Sequence, residues 1–243
     1  IQRARMPLAK SGNALETNPL ADPRVRTALS VAINREGIVD KIMEGTATAS
    51  GQWLPKGAFS YTDDIQPPKP DAATAKKMLA EAGFPNGFQL TVHVPNDRYP
   101  NAPAVVQAVA QMWTRIGVKT NVEALPWTTF SSRKSEFSIK LLGLGNATYD
   151  ASSMLVNVLG TVDPKRGLGA ANDSGYSNPA LDDLVAKAMT LYDDKAREAA
   201  LIEAVKIAVK DGAIVPLYQQ SNAWVMRKGL SYRPRIDERT LVK

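Results

Sequence analysis

Residues 88–125 constrain the fold more than any other stretch of the chain. Phe88 to Val94 alternates well enough to be a strand, and Val118 to Leu125 does so with period two. Between them Val105, Val109, Met112, Trp113 and Ile116 recur at helical spacing, and Gly117 stops the run. A strand, a helix and a second strand in this order build parallel neighbours through a right-handed crossover. The pattern therefore predicts an α/β domain.

The remaining segments supply helices to cover such a sheet. Asp22-Pro23 reads as N-cap and first helical residue, ahead of Val25, Ala28, Leu29, Ala32 and Ile33 on one face. Asn34 is expected to cap a short helix carrying Ile38, Val39, Ile42 and Met43, ended by Gly45. Asp71 opens a helix with Ala75, Met78, Leu79 and Ala82, closed by Gly83. Thr128 is placed as the cap of another short helix, and a further one is expected near 151–159. Asn178-Pro179 repeats the cap-and-proline start, and a last helix follows near 194–210 with Leu201, Ala204, Val205 and Ala208 on its face. Residues 46–70, broken by Pro55, Pro67, Pro68, Pro70, Gly51 and Gly57, are expected to be an extended loop, and 160–177 a polar one. Additional strands are expected at 138–144, 213–218 and 223–226. The whole reads as α/β, a mixed sheet flanked by helices. Residues 1–21 form an irregular lead-in, 22–226 the folded lobe, and 227–243 a tail.

Composition removes several kinds of chemistry. The chain has no cysteine, so disulfides, thiolate catalysis and cysteine-based zinc sites are excluded. His93 is the only histidine, which leaves Ser-His-Asp catalysis and multi-histidine metal sites resting on one residue inside a strand. The net charge is +6, yet residues 1–26 carry +3 and residues 227–243 carry +4, so the 200 between sum to −1. A nucleic-acid binder concentrates charge on a folded face, so that function is not expected here. No apolar stretch approaches the roughly 20 residues needed to span a bilayer.

Two loops leave the carboxyl ends of expected strands and enter helices, the edge at which open α/β sheets bind ligands. The first offers Asn96, Arg98 and Tyr99 beside Asp97; the second offers Asn146, Thr148, Tyr149 and Asp150. Their Asn, Asp, Gly and Pro content also satisfies ordinary turn chemistry. Arg98 is the candidate for a solute carboxylate, because its planar fork donates two parallel hydrogen bonds. Trp53 is kept as a binding residue because it lies in the Pro/Gly-rich loop outside any amphipathic element, whereas Trp113, Trp127 and Trp224 read as core. Gly143-Leu144-Gly145-Asn146-Ala147-Thr148 begins like a dinucleotide fingerprint, but Thr148 replaces the third glycine. The acidic pairs Asp63-Asp64, Asp182-Asp183 and Asp193-Asp194 sit in turns or at helix starts and read as caps. No catalytic residue, metal ligand or cofactor site is expected.

The order of motifs resembles the family 5 extracellular solute-binding proteins, of the oligopeptide/dipeptide-binding type. Asp22 to Arg35 is similar to that family's D-x-R-V-R-x-A-L-x-x-A-I-D-R block, and Ala75 to Phe84 to its A-K-x-L-L-x-E-A-G-Y. Trp113–Val118, Tyr176–Pro179 and Ile214–Tyr218 resemble its L-x-x-I-G-I, Y-S-N-P and I-P-L-Y. The resemblance implies the second lobe of a two-lobed, type II periplasmic binding protein, with a first lobe expected upstream. It also implies a peptide-like or small polar solute trapped between lobes, delivery to an ABC permease, and a place in the periplasm or, as a lipoprotein, on the outer face of the cytoplasmic membrane. In peptide-binding members an aspartate of the second loop pairs with the peptide's α-amino group; counting back from Asp150 puts that role at Ala147, which carries no charge. Asp150 also reads as a helix cap, so plain dipeptides are expected to be poor ligands. An α/β enzyme, or a sensory domain that has lost transport, are the competing readings.

Overall fold

In the computed structural model, which describes residues 7, 12, 13, 15–146 and 148–235, five helices begin on a short polar side chain that takes up a free backbone amide. Asp22 accepts the Arg24 amide at 2.8 Å and opens α1 (Pro23–Val31). Asn34 accepts that of Gly37 at 2.9 Å and opens α2 (Arg35–Lys41). Asp71, Asn178 and Asp193 do the same for α3 (Ala72–Glu81), α7 (Pro179–Ala188) and α8 (Asp194–Lys210). Each such cap is worth about 1 kcal/mol. Two of the longer helices depart from this rule. α4 (Ala102–Arg115) follows Asn101, which sits at φ 54° and donates its amide to Ile42 O at 2.8 Å instead. α5 (Trp127–Arg133) starts after Pro126, and Thr128 lies inside it and is not its cap.

The β-α-β unit forms as the spacing requires. β2 (Gln89–Pro95) runs parallel to β3 (Lys119–Leu125), with Gln89 opposite Lys119 and Pro95 opposite Leu125. β4 (Ile139–Lys140) pairs parallel on the other side of β2, giving the order β3-β2-β4. Leu90, Val92 and Val94 of β2 share one apolar core with Val105, Val109 and Trp113 of α4 and with Val25, Ala28, Leu29 and Ile33. Trp113 also donates its indole N–H to Leu29 O at 2.8 Å, so this large ring is buried without an orphaned donor. Where the chain enters β2 it passes so close to its exit from α4 that a Cβ on Gly87 would stand 2.0 Å from Gly117 O. Only glycine fits there.

A second apolar core lies around α7 and α8. Leu181, Val185, Leu201, Ala204 and Val205 pack with Leu54, Ala151, Leu155 and Leu159. The expected helix at 151–159 forms as α6 (Ser152–Met154) followed by a π turn over Leu155–Leu159. Its carbonyls are used sideways: Val156 O accepts Gly169 N and Asn157 O accepts Ala171 N, each at 2.8 Å. Arg26 of α1 joins the two cores, donating to Asp211 O at 2.8 Å, while Tyr176 and Asn178 donate to the Asp211 carboxylate at 2.7 and 2.8 Å. Burial, then that bond to Asp211, pushes the Tyr176 phenol well above its ordinary pKa.

Several expected strands come out differently. Residues 46–70 contain β1 (Ala47–Ala49), which pairs antiparallel with β5 (Tyr218–Gln220) as a separate two-stranded sheet. The parallel and antiparallel pairings are thus divided between two sheets, with helices flanking the larger. The strand expected at 138–144 shrinks to two residues, because the chain turns away after Leu141 N reaches His93 O at 3.0 Å. Residues 223–226 form no strand, and Val225 there is fully exposed. Arg35 is buried, and its guanidinium donates to uncharged oxygens: Pro216 O at 2.8 Å, Ser30 O at 3.0 Å and Ser30 Oγ at 2.7 Å. Burial lowers its pKa to about 10, which still leaves it charged at neutral pH. Among the described residues no helix is long and apolar enough to cross a membrane.

Candidate functional site

β2, β3 and β4 all end on the same edge of the sheet, and the two candidate loops leave from it. The Asn96 amide donates to Leu125 O at 2.9 Å, which keeps the first loop against the end of β3. The Asp97 carboxylate then accepts the Trp127 amide at 2.7 Å. This supplies the first turn of α5 with the acceptor that Pro126 lacks. Trp127 is thereby placed beside Tyr99, the ring centroids 6.2 Å apart and 75° inclined. Arg98 lies over both rings, its guanidinium carbon 5.3 Å from the Trp127 centroid and 5.9 Å from that of Tyr99. Arg98 is exposed and makes no ion pair among the described residues. Asn96 is exposed as well.

Tyr99 connects the first loop to the second. Its hydroxyl donates to Gly143 O at 3.3 Å, and a Cβ on Gly143 would stand 2.8 Å from a ring carbon. Any side chain at 143 would therefore require the Tyr99 ring to shift.

Farther along, Asp150 organises the second loop. Its Oδ1 accepts from Ser152 N at 2.9 Å, Ser152 Oγ at 2.6 Å and Thr148 Oγ1 at 3.0 Å. Its Oδ2 accepts from Arg197 of α8 at 2.6 Å. Burial alone would raise the pKa of this carboxyl, but the bonds from Ser152, Arg197 and Thr148 hold it below the ordinary carboxylate range. Asn146 donates to Asp150 O at 2.9 Å, and its Oδ1 lies 3.2 Å from the Thr148 hydroxyl. That hydroxyl has one hydrogen, and the nearer, charged Asp150 is the stronger acceptor. Tyr149 is held at φ 54°, a left-handed conformation rare for a side chain of its size.

Seven of the eight candidate residues thus fall into two groups. Asn96, Arg98 and Tyr99 belong to the sheet edge; Asn146, Thr148, Tyr149 and Asp150 belong to the second loop, in contact with the first through Tyr99 and Gly143. Trp53 and Tyr149 both pack at the margin of the second core, and the buried Trp53 indole N–H has no hydrogen-bond partner among the described residues. Ala147 lies outside the described residues. Trp127, read as core from the sequence, is half-buried and forms the platform under Arg98. Its one sequence signal is its position directly after a strand and Pro126. Arg197 was not distinguishable in sequence from the other exposed charges of α8.

His93 lies away from this edge on the sheet face opposite the first core. It stacks on Phe137 at 3.8 Å and 7°, and its Nε2 is 3.1 Å from Glu123. Burial lowers its pKa, with the neighbouring Glu123 offsetting part of the effect.

Comparison with known proteins agrees with this architecture. The sequence profile described as "Bacterial extracellular solute-binding proteins, family 5 Middle" matches residues 9–165, more than half of the chain. Heme-binding protein A of Haemophilus influenzae is 29% identical over 203 residues, covering 82% of this chain and 36% of that protein. The periplasmic oligopeptide-binding protein OppA of Salmonella typhimurium is 29% identical over 220 residues, covering 86% and 39%. Among solved structures, the periplasmic binding protein DppA of Helicobacter pylori in complex with the peptide STSA superposes with a TM-score of 0.74 at 26% identity, covering 88% and 41%. The chain spans about two fifths of the length of these relatives.

Proposed function

Because this chain belongs to the family 5 bacterial extracellular solute-binding proteins, we propose that it is one lobe of a two-lobed solute receptor for an ABC importer. It captures a peptide-like or small polar solute against a first lobe and delivers it to the membrane permease, in the periplasm or at the outer face of the cytoplasmic membrane, without catalysing a reaction. The observation that carries this reading is Arg98, an exposed guanidinium held over Trp127 and Tyr99 at the carboxyl edge of the sheet. Stacking restricts the side chain while leaving its N–H edge free to meet a carboxylate. The relatives named for oligopeptide and peptide binding support a solute of this chemistry.

The second loop favours solutes that do not depend on a free ammonium group. Ala147 offers no charge, and the Asp150 carboxylate is already bonded to Thr148, Ser152 and Arg197 of the protein itself. Asn146, Thr148 and Tyr149 are suited to hydroxyl, amide or carboxylate groups. Calorimetric titration of the full-length protein with dialanine and with N-acetyl-dialanine tests the reading. Binding of the acetylated compound, weakened by Arg98→Ala, supports it; tight binding of dialanine with its amine on Asp150 overturns it.

A further inference from the structure

Consecutive residues of α8 reach two different loops. Arg197 donates to the Asp150 carboxylate at 2.6 Å and lies over the Phe59 ring, its guanidinium carbon 5.2 Å from the centroid. Glu198 accepts the Ser60 amide at 3.3 Å. The two loops are also bonded to each other: Phe59 N donates to Tyr149 O at 3.0 Å, and Ala151 N donates to Ser60 Oγ at 3.1 Å. Both loops carry a left-handed residue that is not glycine, Tyr149 at φ 54° and the fully buried Ser60 at φ 69°. Such conformations persist only where the surroundings over-determine them. Here the surroundings are the two α8 side chains and the bonds between the loops. The Tyr149 hydroxyl comes within 3.8 Å of where a Cβ on Gly57 would be, so the ring bridges back toward the first of these loops.

We propose that Arg197 and Glu198 are positioning residues for the solute-facing loop, acting through Asp150 and Ser60 to fix Tyr149 and thereby the set of solutes accepted. This rests on the reading of residues 146–150 as solute-facing. Arg197 does not touch the solute; it holds Asp150, which holds Thr148 and Ser152. Removing the guanidinium frees the carboxylate to recapture the Thr148 hydroxyl in other geometries and releases Tyr149 from its left-handed conformation.

The test is amide hydrogen exchange followed by NMR and solute titration, both on the full-length protein, comparing the wild type with Arg197→Met, Arg197→Lys and Glu198→Gln. N-acetyl-dialanine and dialanine are the probes. Arg197→Met is expected to speed exchange at Phe59, Ala151 and Ser152 at least tenfold while α4 amides stay unchanged, and to alter the ratio of affinities for the two probes. Arg197→Lys, which keeps a cation within reach of Asp150, is expected to restore most of both. A general rise in exchange that includes α4 would mean global destabilisation and overturn the proposal, as would unchanged exchange at the three amides. Wild-type full-length protein that binds neither probe would sink the functional reading, and the exchange data would still decide whether α8 sets the loop.

Discussion

The two halves of the candidate site are held by different forces. Around and behind Arg98 the fixed groups are rings: Tyr99, Trp127, Phe130 and Phe137 follow one another with centroids 5.4–6.2 Å apart. Around Asp150 they are one carboxylate, one guanidinium and several hydroxyls. The first arrangement leaves its charge at the surface, free to meet a ligand. The second consumes its charge internally and presents neutral groups. Similar loop sequences, both rich in Asn, Asp and Tyr, thus become a charged contact and an uncharged one, because one loop borders a sheet and the other borders the start of a long helix.

Removing the support of either half should separate them. Trp113→Ala should have the largest effect, lowering stability by about 3–5 kcal/mol through the cavity and the lost bond to Leu29. Chemical denaturation should show both cores unfolding together, since Arg26 and Asp211 tie them; two separate transitions would break that link. Asp150→Ala should cost about 2–3 kcal/mol, because it strands Arg197 beside half-buried partners. The same substitution should remove part of the acid sensitivity. A carboxyl with a lowered folded pKa stabilises the fold fully above about pH 4, and that stability is lost as the pH falls through the folded value. A wild-type and variant difference that does not narrow in acid would count against the ion pair.

Arg98→Ala should leave the denaturation midpoint nearly unchanged and weaken binding of a carboxylated solute by about 1.5–3 kcal/mol in the full-length protein. A stability loss as large as that of Asp150→Ala would show that the ring-held half is as internally committed as the other. His93→Gln should have the smallest effect. The lowered pKa means the folded state disfavours the imidazolium, so stability is complete above about pH 6.5 and declines as the pH drops toward the folded value. The variant should flatten that slope, as read from melting temperatures across the range.

Helix starts were legible in the sequence because a cap acts over three residues: Asp22, Asn34, Asp71, Asn178 and Asp193 each bond an amide two or three positions away. The β-α-β unit was legible for the same reason of local periodicity. What escaped were contacts with no local signature. Asp97 caps a helix 30 residues on, Arg197 meets Asp150 at a separation of 47, and β1 pairs with a strand beyond residue 217. Ser138 to Leu144 looked like a full strand because apolar content says nothing of where the backbone must leave the ladder to let Gly143 pass under Tyr99. The two candidate loops could be named from sequence; which of their charges is free could not, because that depends on Arg197 and Trp127.

The Tyr99–Gly143 contact divides the site into positions open and closed to variation. A methyl group at 143 would collide with the ring that carries Arg98, so a change made to reshape the second loop there would also disturb the first. The exposed Asn96 side chain bears no such double duty. Selection for a new solute, in nature or in a library, can therefore draw on position 96 without disturbing the neighbouring loop, whereas a side chain at 143 must displace Tyr99 whatever the cargo.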